Sequence, residues 1–193
     1  HYLLNNDKLA FVNLEDPIQV EKTKAMQLYS FGVNKDAANV NITRIEANPF
    51  VSVTYSQNII STHLIGLYNA NNINAAIAIG TYFGVEESDI KEALESYIPE
   101  NNRSQLMSKG TNEIILDAYN ANPSSMKVAI ENFILLEKEN KIVFLGDMFE
   151  LGNESLLEHK GVVDLLLKQK DITCYFIGKD FYQNKANQSN FFF

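Results

Sequence analysis

The sequence predicts an α/β protein: a Rossmann-like parallel sheet in the C-terminal half, preceded by part of a mixed α/β domain. Three observations carry this expectation. From about Arg103 onward, apolar runs and amphipathic segments alternate as strand, helix, strand, helix, strand, the pattern of parallel strands joined by right-handed crossovers. Upstream, short alternating runs separated by turn residues read as antiparallel strands. A hydrophobic content of 46% over 193 residues is enough to fill the core of one or two domains.

Taken in order, Leu9 to Val12 reads as a strand. Asp16-Pro17-Ile18-Gln19 then supplies an N-cap, a proline at N1 and a glutamine at N3, so a helix is expected to run to about Tyr29 with Gly32 as its stop. Asn39 to Ala47 and Phe50 to Tyr55 alternate around the turn Asn48-Pro49, and Ile59 to Ile65 reads as a third strand. Asn69 is the expected N-cap of a helix whose buried face is Ile73, Ala76, Ile77 and Gly80, with Gly84 ending it. A further helix, about Ser88 to Tyr97, is expected to bury Ile90, Ala93, Leu94 and Tyr97. Pro99-Glu100-Asn101-Asn102 breaks the pattern, which divides the chain into residues 1–101 and 102–193. Beyond it come a strand at Glu113 to Asp117, a helix at Ser124 to Lys138, a strand at Ile142 to Gly146, a helix at Ser155 to Lys170 opening on the capping box Ser155-Leu156-Leu157-Glu158, and a strand at Ile172 to Gly178. The loops after these three strands are expected along one edge of the sheet.

Composition excludes several functions. A net charge of −8 repels nucleic acid and anionic membranes, leaving room only for a local basic pocket. The single cysteine, Cys174, rules out a disulfide framework and fits a reducing, cytoplasmic compartment as a buried thiol. No apolar run is long enough to span a bilayer. The chain starts at His1 and ends in Phe191-Phe192-Phe193 after an Asn/Gln-rich stretch; three phenylalanines read as core residues of a continuing element, and the chain as part of a longer protein.

The chemistry concentrates in Ile114 to Met126. An apolar strand runs into Asp117-Ala118-Tyr119-Asn120-Ala121-Asn122, and Asn122 then caps a helix that has Pro123 at N1. Open α/β sheets bind ligands at such strand ends, and the helix start offers N–H groups to an anion. Zinc has no ligand set here, because His1, His63 and His159 are far apart and one cysteine stands alone. Nucleophile-elbow, dinucleotide and P-loop glycine patterns are absent. Read from pattern alone, Asn69 and Asn122 are helix caps, Asn72 is a first-turn polar residue and Arg103 a solvated charge. On the same reading Asp117 forms a turn, Asp147 and Glu150 are a solvated loop pair, and His159 is a satisfied, half-buried histidine.

Asp-Ala-Tyr-Asn-Ala-Asn-Pro-Ser-Ser-Met (117–126), Leu-Gly-Asp-Met-Phe-Glu-Leu-Gly (145–152) with His159 after it, and Tyr68-Asn69-x-x-Asn72-x-x-Ala75-Ala76 together resemble the Mur ligase family. The resemblance spans nearly the whole chain. It implies the end of a central ATPase domain (1–101) and most of a Rossmann-like C-terminal ligase domain (102–193). It also implies an ATP-dependent ligase of peptidoglycan synthesis that adds D-alanyl-D-alanine to UDP-N-acetylmuramoyl-tripeptide through an acyl phosphate, with Mg2+ bridging phosphates, as a cytoplasmic monomer without nucleic-acid or membrane partners.

By that resemblance Asn69, Asn72, Arg103 and Asp117 bind the nucleotide: the asparagines near adenine, Arg103 on base or phosphate, Asp117 at the ribose hydroxyls. Tyr119, Asn120 and Asn122 face triphosphate and amino-acid substrate as catalytic-loop residues, and Asp147, Glu150 and His159 are substrate-side candidates. No metal ligand is implied in this chain, because the family's phosphate-binding loop, magnesium ligands and carbamylated lysine lie upstream of His1 in its pattern. Tyr68 replaces the family's usual histidine, Ala118 a serine and Asn102 a glycine. The chain alone is therefore expected to be inactive. The alternatives are a noncatalytic module that keeps a Rossmann-like ligand edge, or a sister ATP-dependent amide ligase.

Overall fold

The computed structural model describes residues 8–100 and 102–193; His1 lies outside the described residues. Its contacts divide into two compact units, one ending at Asp117 and the other beginning at Ala118.

In the first unit, five strands form a mixed sheet in the order β1 (Leu9–Asn13), β2 (Gln27–Val33), β3 (Val40–Ala47), β4 (Phe50–Tyr55) and β5 (Asn58–Ile65) among the described residues. The β1–β2 and β2–β3 pairs are parallel; β3–β4 and β4–β5 are the expected antiparallel pairs. The first helix, α1 (Pro17–Thr23), starts as read, with Asp16 accepting from the Ile18 and Gln19 N–H groups at 2.9 and 3.1 Å. It does not reach Tyr29. Gln27 onward instead forms β2 between two partners, since pairing on both edges outweighs local helix preference.

Two helices follow, α2 (Asn69–Tyr82) and α3 (Glu87–Ser96). The N-cap of α2 is Tyr68, without a side-chain capping bond, so Asn69 is a first-turn residue. Its buried face is Ala70, Ile73, Asn74, Ile77 and Ala78, which seats against Val40, Ile42, Val51, Val53 and Ile60 of the sheet. Ala76, expected in that face, is exposed. On α3 only Ile90 is fully buried, and Tyr97 lies outside at 51% exposure.

The strand expected at Glu113 to Asp117 exists as β7 (Asn112–Leu116), but it does not join the parallel sheet. It pairs antiparallel with β6 (Gln105–Lys109), which the sequence reading lacked, across the two-residue turn Gly110-Thr111. Gly110 sits at φ +62°, as the favoured hairpin turns require. The first compact unit thus runs past the 101/102 division to the end of this hairpin.

In the second unit, α4 (Pro123–Leu135), β8 (Lys141–Gly146), α5 (Ser155–Leu166), β9 (Ile172–Ile177), α6 (Lys179–Gln183) and β10 (Phe191–Phe192) follow. The three strands are parallel in the order β10–β9–β8. Val143, Cys174, Phe176 and Phe191 pack against Ile130, Val162, Val163 and Leu166. Asn122 caps α4 as expected, accepting from Ser125 N–H at 2.9 Å while the Ser125 hydroxyl receives the Asn122 N–H. The capping box at Ser155 does not form. A short 3-10 turn, Gly152–Glu154, leads into α5, so Ser155 is already helical and its hydroxyl bonds Asp180 instead. No helix among the described residues is long and apolar enough to cross a membrane.

Cys174 is a fully buried thiol, as read, and burial pushes its pKa up from 9.0 to about 12. Because the folded pKa is the higher one, the thiol favours the fold below pH 9 and this stabilisation is lost as pH rises toward about 12. In that window the wild type is expected to lose about 1.4 kcal/mol of stability per pH unit more than Cys174→Ala, the linkage of one proton. Urea unfolding of both proteins across the window measures the difference.

Candidate functional site

In the first unit, β1 ends at Asn13 and α1 starts at Pro17, a strand end followed by a capped helix start. Beside them the first turns of α2 present Asn71, Asn72 and Ala75. Together with Glu15, Asp16, Gln19 and Phe31 they line an open cleft of about 510 Å³, within the size range of small-ligand sites. Its polar lining is mostly amide. Asn13, itself 7% exposed, donates through Nδ2 to Asn71 Oδ1 at 3.4 Å, accepts the Glu15 N–H at 3.0 Å, and its own N–H goes to Gln19 Oε1 at 3.0 Å. Asn72 donates to Asn69 Oδ1 at 3.1 Å, and Asn69 is buried with its Nδ2 on the Ile65 carbonyl at 2.7 Å. Asn69 therefore holds Asn72 in place, and Asn72 is the one that reaches the cleft. An amide both donates and accepts in one plane, which suits the edge of a purine. Asn13, Gln19 and Asn71 were not among the expected site residues.

A second cluster in the same unit gathers Tyr68, Ser104 and Asp117. Asp117 is exposed, and its two carboxylate oxygens accept from the Ser104 N–H at 3.2 Å and the Ser104 hydroxyl at 3.5 Å. The Tyr68 hydroxyl bonds the Ser104 hydroxyl. Burial raises the Tyr68 pKa, opposed by the Ser104 bond and reinforced by the nearby Asp117 charge. Arg103 is exposed between Asn102 at φ +57° and Ser104 at φ +49°. Left-handed residues other than glycine on both sides mark a backbone held in place by its surroundings.

The second unit holds the remaining candidates. Tyr119 and Asn120 are exposed, and Asn120 Oδ1 accepts the Ala121 N–H at 2.9 Å. The Asn122 side chain is committed to Ser124 and Ser125 as the cap of α4. Of the three loops expected along one sheet edge, those after β8 and β9 do meet: Asp147 accepts from the Asp180 and Phe181 N–H groups at 3.1 and 3.0 Å. The third of the expected strands, β7, belongs to the hairpin and not to this sheet.

His159, read as half-buried, is wholly buried. Its Nε2 accepts the Met148 N–H at 2.9 Å, so the proton sits on Nδ1, 2.7 Å from the Ser155 carbonyl. Asp147 knits the β8 and β9 loops together through the Asp180 and Phe181 N–H groups, while His159 ties the β8 loop to α5 through Met148, and Asp147 is no solvated pair with Glu150. Glu150 is exposed at φ +64°. Among the described residues no group of three His, Cys, Asp or Glu side chains could hold a cation.

Two family profiles match: the Mur ligase middle domain over residues 2–80, and the Mur ligase glutamate ligase domain over residues 102–189. The UDP-N-acetylmuramoyl-tripeptide–D-alanyl-D-alanine ligase of Bacillus subtilis (strain 168) is 31% identical over 79% of this chain, and the Treponema pallidum (strain Nichols) ligase of the same name is 32% identical over 67%. The chain spans only 34% and 28% of those proteins. Among solved structures, MurF from Acinetobacter baumannii matches with a TM-score of 0.80 at 24% identity, covering 96% of this chain and 42% of that one. With the two profiles side by side in the family's domain order, the chain belongs to the Mur ligase family.

Proposed function

We propose that this chain is part of an ATP-dependent ligase that joins D-alanyl-D-alanine to UDP-N-acetylmuramoyl-tripeptide in peptidoglycan synthesis, in the cytoplasm. The observation that carries the reading is the pair of family matches across the chain, together with similarity to proteins that bear this activity in their names. The amide-lined cleft supports it, because its donors and acceptors suit adenine. In this reading residues 102–193 carry the C-terminal ligase domain.

ATP gives its terminal phosphoryl group to the tripeptide carboxylate and leaves as ADP. The dipeptide amine then attacks the acyl carbon, loses a proton and forms the amide bond as inorganic phosphate departs. The chain's own residues have the tasks of binding, orienting and excluding water. Asn72, held by Asn69 and accompanied by Asn13 and Asn71, binds the base edge. Asp117 accepts the ribose hydroxyls. Arg103 places a guanidinium on base or phosphate. Tyr119 and Asn120, exposed beside the capped start of α4, take the reacting end of the substrates, and Asn122 orders that helix start.

The test is phosphate release. A longer protein containing this chain is expected to release phosphate only when ATP, muramoyl tripeptide and D-alanyl-D-alanine are all present. The 193-residue chain alone is expected to release none. Release by the chain alone, or turnover of a different acceptor by the longer protein, would overturn the reading.

A further inference from the structure

The Tyr68–Ser104–Asp117 cluster has a direction. Ser104 Oγ donates to Asp117 Oδ2 at 3.5 Å, so its own lone pairs are left to receive the Tyr68 hydroxyl proton. The sequence of donors is therefore phenol to serine to carboxylate. Burial holds the phenol in its protonated, donating form. Each Asp117 oxygen accepts one bond from Ser104, which leaves a lone pair on each and an exposed outer side. A carboxylate anchored behind and open in front suits a vicinal diol, whose two hydroxyls donate to its two oxygens.

The backbone around Tyr68 is shaped for this contact. Gly66 sits at φ +89°, and a Cβ there would meet the Tyr68 ring at 2.4 Å. Only glycine lets the ring lie over its own backbone on the way to Ser104. At the other end Ser104 is 5% exposed and takes φ +49°, a conformation serine rarely adopts. Both ends of the Tyr68–Ser104 bond thus rest on unusual backbone geometry, while neither hydroxyl lines the amide cleft.

We propose that Tyr68 is a positioning residue, which acts through Ser104 to set the carboxylate of Asp117 for the two hydroxyls of a nucleotide ribose. This rests on the nucleotide reading above. The residue itself touches no ligand.

The experiment compares ADP with 2′,3′-dideoxy-ADP by calorimetry on a longer protein that contains this chain together with the family's phosphate-binding loop, and follows hydrogen exchange of the Ser104 amide in parallel. Wild type is expected to prefer ADP by roughly tenfold or more, the worth of hydrogen bonds to a charged acceptor. Asp117→Asn and Tyr68→Phe should both shrink that ratio toward one, with dideoxy-ADP binding little changed. Tyr68→His, which restores a donor, should recover part of the ratio. Tyr68→Phe should also speed exchange of the Ser104 amide.

An unchanged ratio in Tyr68→Phe, with the ratio lost in Asp117→Asn, would overturn the relay and leave the role of Asp117 intact. Equal loss of binding to both nucleotides in Tyr68→Phe would mark a structural role only and overturn it too. Absence of ADP binding by wild type would sink the nucleotide reading and the positioning role with it. The exchange rate would then still report whether the hydroxyl chain orders Ser104.

Discussion

Gly178→Ala is expected to destabilise the second unit by about 4 kcal/mol or more. Gly178 adopts φ +134° and ψ 170°, a region that side chains other than glycine's hydrogen avoid, and forcing an L-residue there costs on the order of 1–3 kcal/mol. The added Cβ would also lie 2.1 Å from Asp147 Cγ and 2.2 Å from Oδ2. A carboxyl group can swing aside easily in steric terms. Here it cannot do so without releasing the Asp180 and Phe181 N–H groups it holds at 3.1 and 3.0 Å, each bond to a charged acceptor being worth about 1.5–3 kcal/mol. Urea unfolding measures the loss. Repeating the substitution in an Asp147→Ala background should leave only the dihedral part, since the obstructed carboxylate is gone. A loss of only about 1–3 kcal/mol in the wild-type background, no larger than in the Asp147→Ala background, would mean that the Asp147 bonds contribute nothing to stability.

His159→Ala is expected to cost about 3–5 kcal/mol, because it combines a cavity with one orphaned buried backbone group, the Met148 N–H. The ring is wholly buried, lies edge-to-face on Phe181 with centroids 4.6 Å apart, and serves both the Met148 N–H and the Ser155 carbonyl. Chemical denaturation followed by far-ultraviolet circular dichroism gives the value. His159→Gln should recover part of the loss, as an amide can still bond one of the two groups. A near-native His159→Ala protein would remove the structural role given to this residue and return it to the substrate-side candidates. Gly178 acts through Asp147 and His159 through its neighbour Met148 in the same loop, so their effects should fall short of additive when combined.

Most elements whose signals are local were legible. Asp16 and Asn122 cap their helices through the side-chain oxygens that their sequence positions announced, since a cap needs only three or four neighbouring residues. Strands β3, β4, β5, β8 and β9 follow from apolar patterning of the same short range. Where a segment had two readings, partners elsewhere decided. Gln27 to Val33 became a strand because β1 and β3 flank it. Asn112–Leu116 went to a hairpin because Gln105–Lys109 lies two residues upstream across Gly110-Thr111. The lysine-glycine-threonine turn there was a readable hairpin signal.

The candidate site divides in the same way. Asn13, Gln19 and Asn71 line the cleft although they were missed. The signal was available: a strand ending at Asn13 and a proline-led helix at Pro17 repeat the strand-end, helix-start logic that singled out Asp117 to Pro123. Asn69 was found by pattern, yet its bond to the Ile65 carbonyl is a tertiary fact, and so is its task of holding Asn72. Likewise a histidine on an amphipathic helix reads as satisfied, but not by what. Met148 and Ser155 supply its partners.

By itself the sequence determined the α/β class, the capped starts of α1 and α4, the buried thiol and the family motifs, because each depends on residues close together in the chain. Which strand pairs with which, which asparagine faces the cleft, and the chain of hydroxyls from Tyr68 to Asp117 were decided only in three dimensions. A hydrogen-bond partner 36 residues away, as Ser104 is from Tyr68, leaves no periodicity behind. Burial and pairing act between distant segments, and only the folded backbone brings those segments within bonding distance.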